Sequence, residues 1–189
     1  MKAVVTNRPA RSGEEERFVE LYRRYGRQLH AYCRRRTSLS QAADAVSETF
    51  LVAWRKLDEV PAGESALPWL YGVAYRVLSH QWRHSSRSRR LLDRLGGLAE
   101  AGVMSPDVIV MNDEEHRWIL RALSRLRPID QEVLRLTLWE ELSYADVAVV
   151  LGIEPDAVKQ RAYRARRHLA EEYRKITNSP PLLTKGGEA

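Results

Sequence analysis

Asp44 and Glu48 stand four residues apart, so on a helix they share one face and could serve as a general acid/base pair or a metal pair. His80 and His84 have the same spacing and could hold a metal ion. Neither pair has beside it in sequence the rest of such a site: a Gly-rich loop, a nucleophile motif, or a third carboxylate or cysteine ligand. Solvated helix surface for the carboxylates, and polar or phosphate-facing positions for the histidines, are the other readings. Asp113-Glu114-Glu115-His116 reads more simply as the acidic first turn of a helix. No catalytic residue, metal ligand or cofactor is therefore assigned. A different chemistry is written into residues 155–169. Val158, Ala162, Ala165 and Leu169 recur at helical spacing and are expected to pack against Val147, Ala148 and Leu151. The opposite face then carries Lys159, Gln160, Tyr163, Arg164 and Arg167, long donors and one aromatic suited to base edges and phosphates. Lys159, Gln160, Tyr163 and Arg164 are expected to read bases, and Arg161 and Arg167, nearer the flanks, to hold phosphates. An ordinary amphipathic helix with a solvated basic face is the alternative.

The composition points the same way. Of 31 basic residues 26 are arginine, the side chain best fitted to bidentate phosphate and guanine contacts, and the net charge is +6. The charge is uneven: residues 1–95 and 117–189 are basic blocks, and 96–116 between them has acidic residues but no lysine or arginine. The 189 residues suffice for one domain or two small ones, and 44% hydrophobic content suffices for a core. Cys33 is the single cysteine, which excludes an intrachain disulfide and a Cys-rich zinc site. The opening MKAVVTNRPARSG has no signal-peptide core, and no apolar run approaches the roughly 18 residues that span a bilayer. A cytoplasmic protein without membrane insertion is expected.

The elements that must position these side chains are all helical. Ser12 with Glu15 makes a capping-box signature, followed by Phe18, Leu21, Tyr22, Tyr25, Leu29 and Tyr32 at helical spacing up to Arg34–Arg36. Ser38 with Gln41 repeats the signature before Ala42, Val46, Phe50, Ala53 and Leu57, a second helix ending near Asp58. Pro61 and Gly63 mark a loop, and Pro68 suits the first turn of a third helix with a stripe of Leu70, Val73, Ala74, Val77, Leu78, Gln81 and Trp82. Gly96, Gly97, Gly102 and Pro106 predict a flexible linker over 96–112. Two helices broken at Pro128 follow. Then a short helix capped at Ser143 turns at Gly152 into a last helix from Pro155 to about Lys175. A short helix, a glycine turn and a basic helix make a helix-turn-helix, whose second helix enters the major groove. The fold class expected is all-α, two small helical domains, with a flexible 1–13 and a disordered tail over 176–189.

The stretch LSRLRPIDQEVLRLTLWEELSYADVAVVLGIEPDAVKQRAYRARRHL closely resembles the C-terminal promoter-binding domain of bacterial RNA polymerase sigma factors. At the other end, ADAVSETFLVAWRKL followed by PWLYGVAYRVLSHQWR resembles the N-terminal core domain of the same family. The short linker resembles the layout of the extracytoplasmic-function (ECF) branch, and the likeness covers about residues 14–173. Two departures stand out. Many relatives have Ala-Arg-Asn and Asp-Tyr or Asp-Trp where this chain has Ala74-Tyr75-Arg76 and His80-Gln81-Trp82. A common Pro-x-Gly-Thr-Val becomes Glu154-Pro155-Asp156-Ala157-Val158.

The resemblance implies a factor without catalysis of its own that directs promoter-specific transcription initiation. Its implied partners are core RNA polymerase and promoter DNA, with an anti-sigma factor as a further candidate. Residues 14–95 would bind polymerase and recognise and melt the minus-ten element, and 113–175 would recognise the minus-thirty-five element through Lys159, Gln160, Arg161, Tyr163, Arg164 and Arg167. Asp44, Glu48, Phe50 and Arg55 would face the polymerase clamp helices. The loop 58–67 and Trp69, Tyr71, Tyr75, Arg76, His80, Arg83 and Arg87 would capture the minus-ten strand, by stacking and backbone neutralisation. Each of those three aromatics could instead belong to the core. A free-standing helix-turn-helix regulator and an enzyme acting on nucleic acid are the competing functional classes.

Overall fold

The computed structural model describes the backbone of residues 12–94 and 114–177 and the side chains of residues 13–83 and 114–177. The expected linker over 96–112, most of the N-terminal segment and all but the start of the expected tail lie outside these residues. Every regular element among the described residues is helical. They are α1 (Ser12–Arg34), α2 (Leu39–Arg55), α3 (Ala66–Arg94), α4 (Glu114–Ser124), α5 (Pro128–Leu138), α6 (Tyr144–Leu151) and α7 (Pro155–Thr177). Two single 3-10 turns, Leu57–Glu59 and Gly63–Ser65, lie between α2 and α3. The chain divides into two compact units, one holding α1–α3 and the other built on α4, α5 and α7 with the first residues of α6.

In the first unit each helix packs on the other two. Leu21, Tyr25 and Leu29 of α1, Ala42, Ala45 and Ala53 of α2, and Leu70, Val73, Ala74, Val77 and Leu78 of α3 are all buried. Small residues on α2 let its neighbours approach closely, and burial contributes roughly 25 cal/mol per Å² of apolar surface removed from water. Thr49, buried on α2, satisfies its hydroxyl by donating to the Ala45 carbonyl at 2.6 Å. Ser38 does stand at the N-cap of α2, but its hydroxyl meets the Gln41 side chain at 3.1 Å and not a backbone N–H. The helix closes at Arg55, earlier than its stripe suggests, and Leu57 is buried from a 3-10 turn instead.

The second unit is centred on α7, which packs on α4 and α5. Pro128 opens α5 at N1, where its missing N–H costs no helical hydrogen bond. The Ser143 hydroxyl accepts from the Asp146 N–H at 3.1 Å and donates to that residue's carboxylate, capping α6. Gly152 closes α6 with φ 65° and ψ 40°, a left-handed conformation that a Cβ would strain, and its N–H donates to the Ala148 carbonyl. Pro155 then starts α7.

Candidate nucleic-acid interface

On α7, Val158, Ala162 and Ala165 are buried, as their spacing requires. Their neighbours differ from expectation in one respect: Ala165 and Leu169 pack with Leu123 of α4, Leu134 of α5 and Leu126 between those helices. A 23-residue helix following a tight turn runs well past the short α6, so only the longer helices can cover its second half. Lys159, Gln160, Arg164 and Arg167 are exposed, and Tyr163 keeps 64% of its surface open to solvent. A tyrosine so open between basic side chains leaves most of its surface available to a partner. Arg164 Nε lies 3.4 Å from the Gln160 carbonyl, and Arg167 has Glu171 at 3.9 Å, both contacts at exposed groups that cost little to give up.

Arg161 is not a free flank cation. Its guanidinium lies 3.5 Å from Asp130 Oδ1, half-buried, and Arg127 Nε donates to Asp130 Oδ2 at 2.8 Å. In this structure the side chain ties α7 to the first turn of α5, where the sequence pattern expects a flank cation reaching for phosphate. Arg166, which the sequence pattern does not single out, donates to the Tyr144 hydroxyl at 3.1 Å and links α6 to α7. At the far end of α7 the Glu172 carboxylate accepts from Lys175 Nζ at 2.6 Å and Arg125 Nη1 at 2.9 Å. The Lys175 contact first, and that of Arg125 second, lower its pKa below the ordinary 4.5.

In the first unit the candidate residues separate into exposed and buried sets. Asp44, Glu48 and Arg55 are exposed on α2, with Leu51 open beside them. Phe50 is not on that surface. It is 4% exposed, with the Tyr22 ring at 4.8 Å and the Phe18 ring at 6.1 Å, a core residue. On α3, Arg76, His80 and Arg83 are exposed and Trp69 and Tyr75 are half-buried. Tyr71 is 3% exposed, its ring stacked on Tyr32 at 4.5 Å, and the expectation of a strand contact there is corrected. The Arg87 and His84 side chains lie outside the described residues. Glu114, Glu115 and His116 are exposed at the start of α4. Among the described residues no three His, Cys, Asp or Glu side chains cluster as a metal site.

Three groups around α3 escape sequence reasoning. Arg36, 1% exposed, lies 3.6 Å above the Tyr32 ring and donates to the Tyr32 carbonyl at 3.0 Å, so that Arg36, Tyr32 and Tyr71 form one stack. Arg17 donates to the Val60 carbonyl at 2.7 Å, and the Tyr25 hydroxyl to the Gly63 carbonyl at 2.8 Å. Together they pin the loop before α3 onto α1. Arg17, Leu21 and Tyr25 recur every four residues, which was the available signal that all three face one neighbour.

Two family models match the chain: "Sigma-70 region 2" over residues 21–88 and "Sigma-70, region 4" over 116–169. Together they take in more than half of it. The chain is 33% identical over 165 residues to the ECF RNA polymerase sigma factor BldN of Streptomyces coelicolor, covering 85% of this chain and 62% of that one. It is 29% identical over 170 residues to RNA polymerase sigma factor NccH of Alcaligenes xylosoxydans, covering 86% and 89% of the two. Its fold is shared with the sigma factor RpoE of Bartonella quintana, solved in complex with the anti-sigma factor NepR. The TM-score is 0.61 at 24% identity, over 90% of this chain and all of that one. No helix among the described residues is long and apolar enough to cross a membrane.

Proposed function

Since this chain belongs to the sigma-70 family and is an ECF-type sigma factor, we propose a division of labour among its surfaces in promoter-specific initiation with core RNA polymerase. The exposed strip Asp44, Glu48 and Arg55 on α2 meets the polymerase. Trp69, Tyr75, Arg76, His80 and Arg83 on α3, with Arg87 beyond them, serve the melted minus-ten strand. Half-buried aromatics suit this, because one ring face is fixed by packing while an edge stays available for a base. Lys159, Gln160, Tyr163 and Arg164 read the minus-thirty-five element and Arg167 holds a phosphate. Residues 14–95 and 113–175 are the two working domains.

The observation that carries this reading is the presence of both sigma-70 regions, in order, on one chain. A free-standing operator-binding regulator would have no use for the first of them. The chain spans 62% of the Streptomyces relative's length. An anti-sigma factor is a further proposed partner, supported by the complex in which the Bartonella protein was solved. Run-off transcription tests the proposal: purified core polymerase should yield promoter-specific transcripts only when this protein is added. Transcripts independent of it would remove the assignment.

A further inference from the structure

Asp130 is a buried carboxylate in the first turn of α5, and each of its oxygens is engaged by a different arginine: Oδ2 by Arg127 at 2.8 Å, Oδ1 by Arg161 at 3.5 Å. Arg127 keeps about two thirds of its side-chain surface in solvent and Arg161 about one third. Arg161 lies next to Gln160 on the helix whose exposed face carries Lys159, Tyr163 and Arg164. Two guanidinium groups near a surface read as DNA-facing are thus already committed to an acceptor with the charge and fork geometry of a phosphate edge. A carboxylate in that place competes with the DNA backbone for the same donors. Backbone contacts carry affinity for any sequence, whereas base-edge contacts carry the preference for one. Withholding two phosphate-seeking cations therefore lowers binding to all duplexes and leaves discrimination to the open face of α7.

We propose that Asp130 is a specificity-determining residue, which acts by keeping Arg127 and Arg161 from DNA phosphates. The proposal rests on reading α7 as the promoter-facing helix.

The experiment compares the full-length protein and its variants for binding to a random-sequence duplex over a salt series. Asp130→Asn should bind that duplex several-fold more tightly at low salt. The slope of log K against log salt should steepen by about 1 to 2, since each newly neutralised phosphate adds about 0.9. Adding Arg127→Gln and Arg161→Gln to D130N should restore the original slope. Arg161→Gln alone, in a chain that keeps Asp130, should leave the slope unchanged. That variant decides the matter even if D130N does not fold, because a flattening of about 0.9 would show that Arg161 grips a phosphate in the native protein and would overturn the proposal. Weaker binding of folded D130N at an unchanged slope would likewise reduce Asp130 to a tie between helices. Run-off transcription by the unmodified protein is the separate control. Its failure would sink the promoter reading, whereas the salt slopes need only duplex and judge Asp130 alone.

Discussion

In the unit of α1–α3 the buried charge is a cation laid on an aromatic ring, Arg36 over Tyr32, whereas in the unit of α4–α7 the buried charges are carboxylates. Asp130, Glu132 and Glu172 each have a basic side chain within 4.0 Å. The attraction between a guanidinium and a ring changes little with pH, since arginine does not titrate in the ordinary range. A carboxylate between ammonium and guanidinium groups loses its hold when it is protonated. The difference teaches that the two units should respond to different insults. The first is sensitive to loss of aromatic volume, the second to proton concentration and to the state of its helix ends.

The largest expected effect tests the aromatic side of the contrast. Tyr32→Ala should cost about 3–5 kcal/mol in the first unit, by analogy with other buried aromatic truncations, because it opens a cavity beneath both Arg36 and Tyr71. Urea unfolding with hydrogen exchange resolved by helix would measure it, and a loss below about 1 kcal/mol would mean the stack is decorative. Next in size, Arg164→Ala should cost roughly 1–3 kcal/mol of promoter-duplex binding and relax preference at one base pair, with the melting temperature unchanged. Arg36→Met should do the opposite, lowering the melting temperature without touching duplex binding by the second unit. Binding to a panel of single-base variants decides, and a uniform loss for Arg164→Ala would turn it into a backbone contact.

Smaller still, Ser143→Ala should destabilise the second unit by about 1 kcal/mol, since the Asp146 N–H loses its cap. Thermal unfolding compared with Ser38→Ala, whose hydroxyl caps no backbone group, would sharpen the point: the Ser38 change should be the milder. The smallest effect concerns pH. Because the folded state lowers the Glu172 pKa, its contribution to stability is complete above the ordinary carboxylate range and fades as pH falls through the lowered value. Glu172→Gln should flatten that part of the acid limb for the second unit only. An unaltered acid profile would assign the acid sensitivity elsewhere.

What was legible in the sequence was whatever local chemistry decides. Ser143, Gly152 and Pro155 punctuate the chain by their own hydrogen-bonding and backbone preferences, so α6, the turn and the start of α7 could be placed without neighbours. Val158, Ala162 and Ala165 assign the inner face of α7 by spacing alone, and the outer face follows. Helical periodicity is weaker where a helix has two packed sides. Phe50 lies on the apolar stripe of α2 by spacing and is buried against Phe18 and Tyr22 of α1, so its spacing, and not the resemblance that set it beside Asp44 and Glu48 on a partner surface, matches its place. Tyr71 adjoins the stripe of Leu70 and Ala74, and only the arrival of Tyr32 from α1 decides that its ring is covered. Arg36 and Arg161 are arginines in basic runs that the sequence presents as equal to their neighbours. The ring beneath one and the carboxylate of Asp130 beside the other come from distant parts of the chain. Types, order and faces of helices are local properties. The fate of a side chain at the border of a face depends on which other helix lies there, and that is settled only by packing.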